Sequence, residues 1–248
     1  MMQLQIVGKR ARFPRAQLVD PPPRGYVHLA AVVEPPAGRT PFVRAGERKT
    51  RLLQRLTSVA NELTGQDNVE RVTVYKAVVI PPAGGYAKRE GVHHARYDVV
   101  VLVETSSPEA IGQVQATEPY RTLHDALAEA SGDLHVMAAR CVKSLGDVDK
   151  TRPGLFLFNY FVADDVAVAL ELWEWLAGWY AVETGLDNST VLEPVDKADY
   201  AFVNHARWDY GLPRLLLHQM TKPSFRGYLL TNLLINRTGA MPLLYHLA

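Results

Sequence analysis

Cysteine is nearly absent from this chain. Among 248 residues only Cys141 carries a thiol, so no intramolecular disulfide forms and a reducing compartment is expected. One-sided charge is missing as well. The 27 Lys+Arg stand against 26 Asp+Glu, which removes the electrostatic basis for nucleic acid or an anionic membrane as partner. No apolar run approaches the ~20 residues of a membrane span, and none follows Lys9, Arg10, Arg12 and Arg15 in the way a secretory signal requires. A cytoplasmic protein is the expectation. Nucleotide and hydrolase fingerprints are lacking too. Gly84-Gly85-Tyr86 reads as a turn without a phosphate-binding pattern, and no Gly-x-Ser-x-Gly elbow occurs. His93-His94 has no third ligand at metal spacing, so no metal site is predicted.

What is present is an ordinary globular composition, 48% hydrophobic and 21% charged, over a length that suits two domains. Residues 1–24 read as an arm, because Pro14 and Pro21-Pro22-Pro23 impose extended backbone. From Gly25 the pattern clears. Strands are predicted over 25–34, 69–80, 96–104 and 134–142. A helix with Leu52, Leu53, Leu56, Val59 and Leu63 on one face fills 49–63, and a second helical stretch starts at Pro108 and stops near Gly132. After a polar linker the order begins again. Strands are predicted at 154–162, 190–195, 200–208 and 241–247, with a helix from Asp164-Asp165 to Gly185 and another from Pro213, interrupted at Pro223.

The repetition extends to positions. With Gly25 laid on Gly154 and Ala95-Arg96-Tyr97 on Ala198-Asp199-Tyr200, Pro108 falls near Pro213. Tyr120-Arg121 and Phe225-Arg226 then follow their prolines at equal distance, and Gly132 and Gly239 each precede the last strand. The fold class is therefore α+β: two tandem ferredoxin-like β-α-β-β-α-β repeats, over 25–148 and 149–248, behind the 1–24 arm. Each unit makes an antiparallel sheet with helices on one face, and two bare faces can close on each other.

In this element order and the aromatic-Arg helix pair, residues 25–248 resemble the dimeric α/β barrel superfamily in a fused, pseudo-dimeric form. That superfamily includes cofactor-independent monooxygenases of antibiotic biosynthesis, muconolactone isomerase-like proteins, stress-responsive barrel proteins, and the haem-binding chlorite dismutase and dye-decolourising peroxidase groups. The resemblance implies a barrel cavity that holds a small hydrophobic compound. Fold alone does not fix the chemistry.

Strand alternation sorts side chains between barrel interior and helix-covered face. The sorting places His28, Glu104, His135, Asn159, His205, Arg207 and His246 inside or at the mouth. His205 and His246 are candidate bases, and Arg207 a candidate for stabilising an enolate or phenolate. Asn159, His28, Glu104 and His135 are candidate substrate-binding groups. Asn159 stands out because it interrupts a run of Leu and Phe, and an unpartnered buried amide is costly. Each also has a plainer role open to it, as a satisfied core histidine or a structural ion pair.

The leading expectation is an enzyme acting on a hydrophobic compound inside the barrel, of monooxygenase, isomerase or dehydratase type, with no cofactor. Two alternatives stand beside it: a haem protein using His135, His205 or His246 as axial ligand, and a non-catalytic binding or assembly protein. The helix over 166–182 is apolar on nearly all sides. It is expected at an interface between the halves or, in a homodimer, between subunits.

Overall fold

The computed structural model describes residues 2–8, 12–36 and 40–248, with the side chain of Met220 left out; Lys9 and Arg10 of the basic N-terminal cluster lie outside the described residues. Eight strands run in chain order: β1 (Gly25–Val32), β2 (Val69–Val79), β3 (Val99–Thr105), β4 (Asp133–Gly146), β5 (Leu155–Ala163), β6 (Ser189–Pro194), β7 (Phe202–Trp208) and β8 (Thr238–Leu247). They close into one antiparallel barrel in the order β1-β3-β2-β8-β5-β7-β6-β4. This is two ferredoxin-like sheets, β4-β1-β3-β2 and β8-β5-β7-β6, joined where β2 meets β8 and β4 meets β6. Closure leaves no free edge.

The helices cover the outside. Over the first sheet lie α1 (Glu47–Thr64), α2 (Ile111–Gln115) and α3 (Glu118–Ala130). Leu52, Leu56 and Leu63 of α1 and Leu123 and Leu127 of α3 meet the outward Val27, Leu29, Val101 and Val103. Over the second sheet lie α4 (Val166–Thr184), α5 (Leu212–Met220), a π-helical turn at Phe225–Leu230 and α6 (Thr231–Ile235). The side chain of Asp165 caps α4 by accepting from Val168 N, and Gly185 closes it in the left-handed region at φ 69°.

Pairing register shows that the two repeats match with a one-residue offset from the glycine alignment. Tyr26 pairs with Glu104, and Phe156 with Arg207. Tyr26 is therefore equivalent to Phe156, and His28 to Phe158. Likewise His28 pairs with Met137 and Phe158 with Leu243, so His135 corresponds to Met241. The glycines themselves keep a shared role. A Cβ on Gly25 would lie 2.5 Å from Thr105 Oγ1, and one on Gly154 would lie 2.8 Å from the Trp208 carbonyl oxygen, so each lets its chain pass the end of the third strand. Gly25 begins β1, however, whereas Gly154 precedes β5 by one residue. A one-residue slip exchanges the two faces of a strand, which decides the fate of two candidate residues below.

The N-terminal arm crosses the second repeat. Asn232 Oδ1 accepts from Val7 N at 2.9 Å while its Nδ2 donates to Val7 O at 3.0 Å; Asn236 does the same for Gln5 at 2.9 and 2.7 Å. Phe13 is buried against Trp179 and Tyr228. Ala16 N donates to Glu174 O at 3.0 Å, and Arg15 pairs with the Glu174 carboxylate at 2.5 Å. The outer face of the apolar helix α4 is thus covered by this chain's own arm.

Candidate functional site

The barrel interior is filled. Phe156, Phe158, Tyr160, Tyr75, Tyr245, Tyr26, Tyr97 and Tyr200 all belong to one buried cluster. The imidazoles fit among them as packing groups. His205 stacks on Phe158 with centroids 4.2 Å apart; its Nδ1 lies 3.0 Å from Leu157 O and its Nε2 3.2 Å from the Tyr75 hydroxyl. His28 Nε2 lies 3.2 Å from the Tyr160 hydroxyl. Burial disfavours the charged imidazole, so it holds His28 down to about 3 and His205 well below its ordinary value. Both nitrogens of His205 are engaged.

His28, Glu104, His135, His205 and Arg207 do point inward, as strand alternation predicts. They contact groups of this chain, while His28 Nδ1, His135 Nε2 and Arg207 Nε are buried without a hydrogen-bond partner among the described residues. Glu104 lies 2.6 Å from Lys150 Nζ, so a lysine of the expected polar linker is in fact buried, completing an ion pair at the barrel's end. Arg207 donates from Nη2 to Pro153 O at 2.7 Å and pairs with Asp209 at 2.8 Å. His135 sits near the other end, 3.7 Å from Asp199 and edge-on to Tyr200. Burial lowers its pKa, against the opposing pull of Asp199.

Two candidates are on the wrong face. His246 pairs with Lys76 on the outside of the barrel and is exposed, because β8 turns Met241, Leu243 and Tyr245 inward. Asn159 also faces outward, since β5 turns Phe156, Phe158 and Tyr160 inward. Both reversals follow from the one-residue offset. Large aromatic side chains occupy the interior in which a ligand is expected.

Asn159 nevertheless lines a cavity. It lies between the outer face of the second sheet and its helices, with about 90 Å³ of free space. Its walls are aromatic and aliphatic: Phe161 and Trp208 from the sheet, Trp173 and Tyr180 from α4, Phe225 and Leu229 from the π-helical turn. Three polar groups form its floor. Asn159 and Asn204 are direct cross-strand neighbours, and Ser189 Oγ donates to Asn204 Oδ1 at 2.6 Å. Asn159 is 8% exposed, and its Oδ1 has no hydrogen-bond partner among the described residues. An acceptor buried without a donor costs roughly 1–3 kcal/mol. Among the described residues no acidic or basic side chain lines the cavity. The Tyr180 phenol has its pKa pushed up by burial and accepts from Gln219 Nε2 at 3.2 Å. Asn204 and Ser189 were not singled out from sequence; the signal was the same as for Asn159, a polar residue in an otherwise apolar strand.

Haem does not fit this cleft. Among the described lining residues there is no histidine, cysteine, methionine or lysine to serve as axial ligand, and Tyr180 is held as a neutral phenol. The free space is also below the ~150 Å³ that admits a benzene ring, so even one ring enters only if the wall gives. His135 and His205 lie on the other side of the sheet, and His246 is on the outer surface. Among the described residues no helix is long and apolar enough to cross a membrane, and no group of three or more His, Cys, Asp or Glu is placed to hold a metal ion.

No family model matches the sequence, and no curated protein is significantly similar to it. Solved structures do share its architecture. An anthrone oxidase-like protein is 13% identical with a TM-score of 0.63 over 91% of each chain. A monooxygenase-like protein from Fusobacterium nucleatum subsp. nucleatum is 10% identical, with a TM-score of 0.56 over 90% of this chain and 91% of its own. A chlorite dismutase-like protein is 11% identical, with a TM-score of 0.51 over 91% of this chain and 95% of its own. At such identities the likeness concerns fold, and it spans nearly the whole chain. This chain has the dimeric α/β barrel fold in its fused, two-repeat form.

Proposed function

We propose that this protein is an oxygenase that takes a small, neutral, ring-containing compound into the cleft between its second sheet and α4. The observation that carries the reading is an aromatic cavity, with no charged side chain among its described lining residues, floored by the amides of Asn159 and Asn204 and by Ser189. Such a site selects a flat apolar body bearing one hydroxyl or keto group. An ionised ligand would lose hydration with no countercharge to replace it. The amide hydrogens of Asn159 and Asn204 suit an oxygen that gains negative charge as a carbanion or phenolate forms. Among the described lining residues there is no charged base, so the substrate must be acidic at carbon or oxygen and its proton passes to water.

A methylene between aromatic rings meets this requirement. Its oxidation to a ketone by dioxygen balances without an external reductant: one oxygen atom stays as the carbonyl, and the other leaves as water with the two methylene hydrogens. The anthrone oxidase-like and monooxygenase-like structures sharing the fold favour this class over isomerisation or dehydration. The test is dioxygen uptake with anthrone as probe. The expected result is protein-dependent uptake that falls at least ~10-fold in Asn159→Leu, the size of effect of one lost oxyanion donor or less. Uptake equal in both proteins would sink the proposal.

A further inference from the structure

We propose that the cleft is the inner compartment of a two-part site, and that its ligand is elongated, with an oxygen-bearing ring on the Asn159 floor and an uncharged apolar remainder reaching outward. This rests on the reading of the cleft as the ligand site. A second cavity of about 240 Å³ adjoins it, and the two share Leu230, Leu233, Ala240 and Pro242 as common wall. The far wall is the loop after β2, including Pro81, Pro82 and Gly84. That wall is preformed. Proline fixes its backbone, the Tyr86 hydroxyl donates to Asp164 at 2.6 Å, and Gly239 packs so closely on the loop that a Cβ there would lie 2.6 Å from Ala87 N.

The proportions decide the ligand's shape. The inner space is smaller than one ring needs, while the outer is more than twice as large. A ring seated on Asn159 therefore needs the wall to give, and Leu233 is a buried leucine shared by the two compartments. Around the outer cavity Leu230 and Leu234 are 45% and 57% exposed. Apolar surface left open beside an apolar cavity gains from being covered. Among the described residues no acidic or basic side chain lines either compartment, which disfavours an ionised tail. Fused rings or an alkyl-bearing ring satisfy these limits.

Gly84 lines the outer compartment and not the inner one. Its φ is −132°, open to any residue, and a Cβ there meets nothing within 4 Å. Calorimetric titration of the whole protein with phenol and with 4-pentylphenol provides the test. The pentyl compound should bind at least about tenfold more tightly, as expected for burying several methylenes. Gly84→Trp should abolish that advantage and leave phenol binding unchanged; Gly84→Leu serves where the tryptophan impairs folding. Equal affinities in the unmodified protein, or a Gly84 variant that weakens both compounds alike or neither, would overturn the two-part site while sparing the cleft. Failure of phenol to bind at all would remove the cleft reading and this extension together.

Discussion

Asn159 is where sequence and structure meet most instructively. An amide within Leu155–Phe161, otherwise Leu, Phe and Tyr, is uncomfortable on either face of a sheet, so its importance was legible. Which face it occupied was not. Alternation along β5 groups Asn159 with Leu157 and Phe161 without fixing which set turns inward, and the aligned glycines share a steric role while differing by one position in strand register. Asn159→Leu should fold and gain stability, because the unpartnered oxygen disappears; about 1 kcal/mol is expected in urea unfolding, with ligand binding lost. A variant that fails to fold would mean that the amide is structural. The buried imidazoles give a second prediction. In the unfolded chain His28 and His205 titrate near 6.5, but in the barrel they stay neutral far below that. As pH falls from 6.5 toward 3 the unfolded chain takes up protons the folded one refuses. Stability is then complete above pH 6.5 and declines below it, by up to ~1.4 kcal/mol per pH unit for each such group. His28→Phe should flatten that decline, and an unchanged slope between pH 7 and pH 5 would refute the assignment.

At the scale of elements, helix positions and strand order follow from local pattern, and α4 shows the limit of that kind of reading. An all-round apolar helix has to be buried, but its sequence does not say by what. The covering element is the arm at residues 2–8 and 12–19, which is joined to α6 through paired main-chain hydrogen bonds to Asn232 and Asn236. Proline excluded helix from this segment; long-range amide contacts, invisible to local pattern, gave it a place. Gly178 marks the crossing, since a Cβ there would lie 1.8 Å from the Pro14 carbonyl oxygen. Gly178→Ala should therefore lift the arm, and Phe13→Ala should cost about 3 kcal/mol by emptying a site between Trp179 and Tyr228. Limited proteolysis within the first 19 residues checks both. Cleavage no faster than in the unmodified protein would contradict the strapped arrangement. The π-helical turn at Phe225–Leu230 belongs to the same surface and walls the cleft. Such turns, which interrupt helical bonding, often stand at functional sites, and this is the wall best able to give when a ring enters.

The molecule as a whole carries a pseudo-two-fold relation that its sequence announced through element order. Tyr97 and Tyr200, equivalent in the repeat alignment, meet hydroxyl to hydroxyl at 2.9 Å inside the barrel. Large aromatics from both halves fill the space that a cavity would occupy, and their burial is the driving force for closure. A cleft lies outside the barrel wall, in one repeat, where Asn159 and Asn204, neighbours in one sheet, face helices. Side-chain volume decided this, and strand patterns record the direction of a residue without recording whether the space it enters is full.

All four tryptophans lie in the second repeat, and Trp173 and Trp208 line the cleft, so intrinsic fluorescence reports on it directly. The most direct measurement is therefore a fluorescence titration with anthrone of the unmodified protein, Asn159→Leu and the barrel variant His205→Phe. Saturable quenching in the unmodified protein and in His205→Phe, lost in Asn159→Leu, is the predicted result. Quenching that survives in Asn159→Leu but disappears in His205→Phe would return the ligand to the barrel interior and contradict the account.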